Sequence, residues 1–452
     1  MSFPRYPKYK DSGVEWLGQV PEGWAVGTLS RFTATITDGA HVSPETENGV
    51  FPFVSTKDVL EESIDFDNCL RTSTASFEYM LKSGCRPLSG DVLFSKDGTI
   101  GRTVVVSEDR DFAVASSLII IRPRKGALDA GFLNRVCQSA QIANQVETYV
   151  KGAGLPRLSI RNLSRVACCL PPIAEQLRIA AFLDREISKI DGLVAEQRRL
   201  LELLKEKRQA VISRAVTKGV NPDAPMKPSG IEWLGDVPTH WTVASVRRLI
   251  CRIEQGWSPE CHARPAEPEE WGVLKSGCVN RGVFAEQENK ALPETLEPIP
   301  GYEIRAGDVL MSRASGSPEL VGSTAFVSAT RTKLMLSDKV FRLHTGPNLD
   351  QQFLVALFNS RLMRSQIERA ISGAEGLANN LPQSALKAFL CAIPPLADQR
   401  HIVTYLAGEC ASLDNLSTEA QRAIDLLQER RTALISAAVT GQIDVRGFVE
   451  AA

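Results

Sequence analysis

Pro171-Pro172-Ile173-Ala174-Glu175-Gln176 recurs as Pro394-Pro395-Leu396-Ala397-Asp398-Gln399, an offset of 394 − 171 = 223 residues. The match continues without a gap: Glu206-Lys207-Arg208 meets Glu429-Arg430-Arg431, and Ala215-Val216-Thr217 meets Ala438-Val439-Thr440. Each copy opens on Pro-Pro, which suits a helix entry because a first-turn N–H has no partner to lose. Apolar residues then step by fours and threes through Leu183, Ile187, Ile190, Val194, Leu201, Leu204, Val211 and Ala215, with Gln197 and Arg208 in the seam. The second copy gives Leu406, Cys410, Leu413, Ala420, Ile424, Leu427, Leu434 and Ala438, with Arg431 in the place of Arg208. This heptad-like spacing predicts a helix over 176–216, about 40 residues and roughly 60 Å long. Gly192 weakens it locally, and Lys218-Gly219 and Gly441 mark the two ends. An amphipathic helix of this length needs a partner for its stripe. The natural partner is its own copy, paired antiparallel, which would make a spacer with a globular unit at each end.

The segments outside the helices are also duplicated. Ser12-Gly13-Val14-Glu15-Trp16-Leu17-Gly18-Gln19-Val20-Pro21 returns as Ser229-Gly230-Ile231-Glu232-Trp233-Leu234-Gly235-Asp236-Val237-Pro238, at 229 − 12 = 217. Trp24 falls on Trp241, and Gly90-Asp91-Val92-Leu93-Phe94-Ser95-Lys96 on Gly307-Asp308-Val309-Leu310-Met311-Ser312-Arg313 at the same offset. Self-similarity at a fixed offset marks repeated structural units. The expected organisation is a globular unit over 1–170, a helical segment over 171–222, a second globular unit over 223–393 and a second helical segment over 394–452. The helical copies match almost continuously. The globular copies match only in islands, so a framework persists while the stretches set on it have diverged.

The globular units read as α/β. Short β-rich runs stand at Val92-Leu93-Phe94, Thr103-Val104-Val105-Val106 and Ser117-Leu118-Ile119-Ile120-Ile121, and Ala130 to Val146 has helical spacing. Trp16 and Trp233 read as packing residues rather than base stackers.

Composition narrows the function classes. Of 452 residues, 43% are apolar and 23% charged, as in ordinary globular chains, and Lys+Arg 52 against Asp+Glu 53 leaves a net charge of −1. Nucleic-acid contact, if any, must come from local patches rather than a basic surface. No run approaches the roughly 18–20 apolar residues of a membrane span. The opening Met1-Ser2-Phe3-Pro4-Arg5-Tyr6 has no apolar h-region, so no secretory signal is expected. The ten cysteines form no C-x-x-C pair, which suits a reduced, cytoplasmic protein using them as small hydrophobes.

Catalytic signatures are missing. There is no G-x-x-x-x-G-K-[ST], no G-x-G-x-x-G after a strand and no N-P-P-Y or D-P-P-Y tetrapeptide. His41, His240, His262, His344 and His401 lack metal-ligand spacing, and Cys261-His262 reads as a loop. No metal, cofactor or catalytic residue is expected in this chain.

The duplicated order of S-G-[VI]-E-W-L-G-x-V-P-x-x-W and P-P-[IL]-A-[ED]-Q, over essentially the whole chain, resembles the DNA specificity (S) subunits of type I restriction–modification systems. The resemblance implies two α/β target recognition domains joined by long antiparallel, coiled-coil-like helices, with a pseudo-two-fold internal duplication. It implies a non-catalytic subunit that binds double-stranded DNA, each domain reading one half of a split target while the helices set the unread gap. It further implies two modification subunits docked on the helices, and restriction subunits recruited through them. S-adenosylmethionine, ATP and Mg would then be bound by those partners.

Phosphate contact needs Lys, Arg and small donors, and base reading needs polar side chains on protruding loops. In the first unit the candidates are His41, Lys57, Lys96, Thr99, Arg102, Lys151, Arg157 and Arg161. In the second they are Trp257, Ser258, Lys275, Arg313, Ser315, Asn379 and Asn380. Lys96 and Arg313 form the best pair because they hold equivalent places after the Gly-Asp-Val-Leu run. Arg208 and Arg431 have two open roles, pairing with nearby glutamates or meeting a partner subunit. Two rival functions remain at this stage: a stand-alone bipartite DNA-binding protein, and an enzyme with an unrecognised site.

Overall fold

The structure, a computed structural model, describes residues 3–41, 45, 49–150, 156–371 and 379–448. Two long helices dominate the secondary structure: Ile173–Lys218, of 46 residues, and Leu396–Val439, of 44. At 1.5 Å per residue each is about 65–70 Å long. The chain divides into two compact units, one of Met1–Arg198 with Gln421–Ala452 and one of Arg199–Ala420. Each unit therefore contains one α/β body together with a stretch of both long helices.

In the first unit, Thr33–Asp38, Leu118–Pro123, Val92–Ser95 and Thr103–Val105 form a four-stranded antiparallel sheet in that order. Beside it, Phe51–Val54 pairs antiparallel with Leu70–Thr72 and parallel with Ala113–Val114. The second unit repeats both sheets. Ile250–Gln255, Val340–Thr345, Val309–Ser312 and Thr324–Phe326 make the larger one. The smaller is built from Asn289–Ala291, Gly272–Leu274 and Leu334–Met335. The continuous apolar runs are buried on both faces: all of Val92–Ser95 and Val309–Ser312 lie inside.

The helical stretch expected over Ala130 to Val146 is two helices, Ala130–Cys137 and Ala140–Val150. The break has a local cause. The Ser139 hydroxyl donates to the Val136 carbonyl at 2.7 Å and accepts from the Ile142 N–H, so the side chain competes with the helical ladder. Ser360 repeats this against Leu357 and Met363, between the second unit's Gln351–Phe358 and Arg361–Ala370.

The seam residues of both long helices are buried or half-buried. Within the first unit Arg431 reaches Asp191 at 3.2 Å across the two helices, and also Glu62 at 3.2 Å. Within the second, Arg208 pairs with Asp414. Since Asp191 and Asp414, like Arg208 and Arg431, are 223 apart, the same bond is made once in each unit. The repeated partner is an aspartate of the facing helix rather than the expected glutamate, which only Arg431 also meets, at Glu62. Glycine ends both helices in the left-handed region, with Gly219 at φ +75° and Gly441 at φ +72°. A Cβ on Gly441 would lie 2.4 Å from Pro21.

The motif tryptophans behave differently from expectation. Trp24 and Trp241 are buried, at 2% and 1% exposure, whereas Trp16 and Trp233 are 44% and 39% exposed. The packing role belongs to the second tryptophan of each motif, because Leu17, Val20, Leu234 and Val237 already fill the inward positions.

Burial also sets the thiol chemistry. It pushes the thiols of Cys168, Cys278 and Cys391 up to about 12, while Cys251 is exposed. Alkylation of the native chain at pH 8 should mark Cys251 first and spare those three until unfolding, as read by peptide mass spectrometry. Early modification of Cys168 would contradict the buried packing.

Candidate nucleic-acid interface

The repeated motifs turn out to be scaffolding for the loops. Asp91 of the Gly-Asp-Val-Leu run is 1% exposed and accepts from the Leu88 N–H at 2.8 Å. It also receives Arg122 through a bidentate pair at 2.8 and 2.7 Å, fixing the turn that feeds strand Val92–Ser95. Asp308 does the same for the second unit, accepting from Arg305 N–H at 2.9 Å and Arg342 at 3.2 Å. The motif glutamines join each α/β body to its long helix. Gln176, fully buried, accepts from Asp129 N–H at 2.9 Å and donates to the carbonyls of Ala127 at 2.9 Å and Pro171 at 2.8 Å. Gln399 repeats this with Asp350 at 2.8 Å, Asn348 at 3.1 Å and Pro394 at 2.9 Å.

On this scaffold the first unit gathers four loops around residues 115–118. Gly39 passes so close to the neighbouring backbone that a Cβ would sit 2.0 Å from the Ala115 carbonyl oxygen. Beyond it, His41 Nε2 lies 2.9 Å from Asp38 Oδ2, and the buried Lys96 ammonium pairs with the other Asp38 oxygen. Ser117 ties two more loops together, because its carbonyl accepts from Lys96 N–H at 2.9 Å and from the Thr56 hydroxyl at 3.2 Å. Lys57, next to Thr56, is exposed. The turn after Lys96 is closed by Ser95 and has two glycines in the left-handed region, Gly98 and Gly101, with Thr99 and Arg102 exposed on it. The strap after the helices is fastened to the same turn. Arg157 reaches Asp97 at 3.0 Å, and Leu158 N–H donates to the Lys96 carbonyl at 3.0 Å. Arg161 stands exposed on the short helix Ile160–Ser164 that follows. Lys151 lies outside the described residues.

The second unit keeps this plan with other side chains. A Cβ on Gly256 would lie 1.9 Å from the Leu336 carbonyl oxygen, the counterpart of the Gly39 approach. Trp257 is half-buried and packs against Val273, Leu292 and Met335. Ser258, exposed, hooks Asp338, whose N–H donates back at 3.2 Å. Arg313 donates to the Asp338 carbonyl at 3.0 Å and lies 6.0 Å from the Phe341 ring centroid. Ser315 and Ala314 pair with Asn379 and Asn380 as a two-residue ladder, and Leu381 N–H donates to the Arg313 carbonyl at 2.9 Å. Lys275 pairs with Glu288, at 3.6 Å.

The structure therefore brings together His41, Lys96, Thr99, Arg102 and Arg157 in one unit, with Lys57 beside them. It brings together Trp257, Ser258, Arg313, Ser315, Asn379 and Asn380 in the other. Lys96 and Arg313 share a place but not an environment, since strand residue Asp38 in the first unit corresponds to Gln255 in the second. Ser117 and Asp338, the residues that knit the loops, were missed by sequence reasoning. Their only signal was a short polar break, Ser116-Ser117 and Ser337-Asp338-Lys339, between apolar runs. Among the described residues no group of His, Cys, Asp and Glu is placed to hold a metal ion, and no helix is long and apolar enough to cross a membrane.

Comparison with known proteins bears on this arrangement. The family model of the type I restriction modification DNA specificity domain matches residues 21–202. The specificity subunit of the Escherichia coli type I restriction enzyme EcoEI is 31% identical over 241 residues, 53% of this chain and 40% of that protein. That of EcoKI, from Escherichia coli strain K12, is 19% identical over 447 residues, covering 96% of this chain and 92% of the relative. Among solved structures, a chain from work on complex assembly and conformational transition of the type I R-M system superposes with a TM-score of 0.67 at 18% identity. It covers 93% of this chain and 98% of that one. The HsdS subunit from Thermoanaerobacter tengcongensis gives 0.50 at 18% identity, covering 94% and 98%.

Proposed function

We propose that the chain is a DNA specificity subunit of a type I restriction–modification system, whose two recognition domains, 1–170 and 223–393, each read one half of a split DNA target. One observation carries this reading. The two bodies repeat each other down to the hydrogen bonds of Gln176 and Gln399 and of Asp91 and Asp308, while the loops on them present different residues. Two different half-sites require that combination of one frame and two sets of reading groups.

In this reading the exposed Lys57, Thr99, Arg102, Arg157 and Arg161 meet phosphate or base edges in the first half-site, and His41 stands at their margin. Ser258, Ser315, Asn379 and Asn380 take the corresponding part in the second, with Lys275 at the flank. Lys96 and Arg313, tied to Asp38 and Asp338, hold the loops in place. Segments 171–222 and 394–452 pair as the spacer that sets the gap between half-sites. The chain performs no chemistry and holds no cofactor. Two modification subunits supply the S-adenosylmethionine site, and restriction subunits supply ATP- and Mg-dependent steps, in the cytoplasm. The missing nucleotide-binding and amino-methyltransferase motifs support that division of labour.

A methylome tests the proposal. Expressed with its cognate modification subunit in a host free of other DNA methylation, the chain should direct modification to a motif of two short specified halves around an unread gap. An assembled complex that modifies nothing would favour the stand-alone DNA-binding reading. Methyl transfer by the isolated chain would make it an enzyme in its own right.

A further inference from the structure

We propose that Trp16 and Trp233 are two equivalent anchor points, each taking one copy of the same partner protein. The inference rests on the reading that modification subunits bind this chain. It assigns the contact to two hairpin tips.

Each tryptophan sits in a rigid turn. Ser12 N–H donates to the Gly18 carbonyl at 2.9 Å, and Leu17 and Gly18 N–H both reach the Val14 carbonyl at 3.0 Å. Ser229, Leu234 and Gly235 repeat these bonds at 3.0, 3.1 and 3.1 Å. The turn is rooted by Leu17 and Leu234, 6% and 4% exposed, so the exposed indole ahead of each is presented by a fixed loop. Little ordering entropy is then lost when a partner closes over it, and tryptophan is the side chain most enriched at binding hot spots.

Duplication argues for the occupant. Between the two α/β bodies, buried positions persist because packing requires them. An indole exposed by about two-fifths has no such requirement, yet both copies keep it, and both keep an exposed glutamate before it, Glu15 and Glu232. The loops proposed to read DNA differ between the copies, whereas these tips are the same. Identical surfaces imply identical partners, two per chain. A carboxylate beside each indole disfavours a phosphate backbone and suits a protein pocket with an apolar floor and a basic rim.

The test is a titration of full-length chain with purified modification subunit, read by mass photometry. Wild type should take two copies. W16A should take one copy normally and the second about 30-fold more weakly, the scale of a hot-spot loss, and W16A/W233A should weaken both. Melting temperatures should hold, because both side chains are exposed. As a variant that keeps the indoles, E15K/E232K should weaken recruitment and flatten its salt dependence. The proposal is overturned if W16A/W233A recruits two copies with wild-type affinity. It is equally overturned if that variant keeps its partners but loses DNA affinity, which would turn the tips toward nucleic acid. Failure of the wild-type chain to recruit any modification subunit would instead remove the functional reading beneath it.

Discussion

Gln176→Leu should destabilise the first unit by about 4 kcal/mol and leave the second unit's unfolding unchanged. Leucine matches the side chain in size but offers neither donor nor acceptor. It strands the Asp129 N–H and the Ala127 and Pro171 carbonyls in a site with no exposure. Each orphaned buried group costs about 1–3 kcal/mol, so three of them approach the upper range of single-residue effects. Gln176→Glu should fare no better. Its carboxylate can still accept from Asp129, but it cannot donate to either carbonyl, and it buries a charge. Gln399→Leu should move the loss to the second unit, through Asp350, Asn348 and Pro394. Because two units need not unfold together, one midpoint would blur the result. Hydrogen exchange resolved by peptide can follow each unit separately in urea. A loss below about 1 kcal/mol in both variants would mean that the glutamines are not what holds each α/β body to its helix.

Inserting one heptad into both long helices should widen the unread gap of the DNA target by about three base pairs and leave both half-sites as they were. Seven residues add about 10 Å of helix, against 3.4 Å per base pair. The insertion belongs between Val194 and Leu204 in one helix and between Ala420 and Ile424 in the other. Those points lie clear of Arg208–Asp414 and Arg431–Asp191. A heptad preserves the apolar seam, whereas three residues would rotate it out of register and should abolish modification. The readout is the methylome of each variant. If the heptad variant changed the bases read, the helices would be shaping recognition rather than spacing it, and the spacer reading would fail.

Much of this was legible from residue order. The step of fours and threes from Leu183 to Ala215 announces a long amphipathic helix, because burial of a helical stripe requires that period. Two copies 223 residues apart announce a duplicated architecture. The candidate loops were also visible, as polar, glycine-bearing stretches between apolar runs. Their mutual placement was not visible. Ser117 and Asp338 knit loops distant in sequence, and such links depend on sheet register, which no local pattern encodes. Lys96 illustrates the limit. Its place after the Gly-Asp-Val-Leu run is plain from the repeat, but its burial against Asp38 depends on a strand some sixty positions earlier.

The sequence alone therefore determined the class of fold and the duplication, and carried the family resemblance, because each is written in periodicity and in motifs repeated at constant offsets. Only the tertiary structure decided what those motifs are for. The glutamine of Pro-Pro-Ile-Ala-Glu-Gln bonds an α/β body to its helix, and the aspartate of Gly-Asp-Val-Leu holds an arginine from the next strand. Of the two tryptophans in each opening motif, the structure buried the second and left the first at the surface. The physical reason is the same in every case. A side chain's role is set by which distant backbone groups and apolar surfaces close around it, and that closure exists only once the chain has folded.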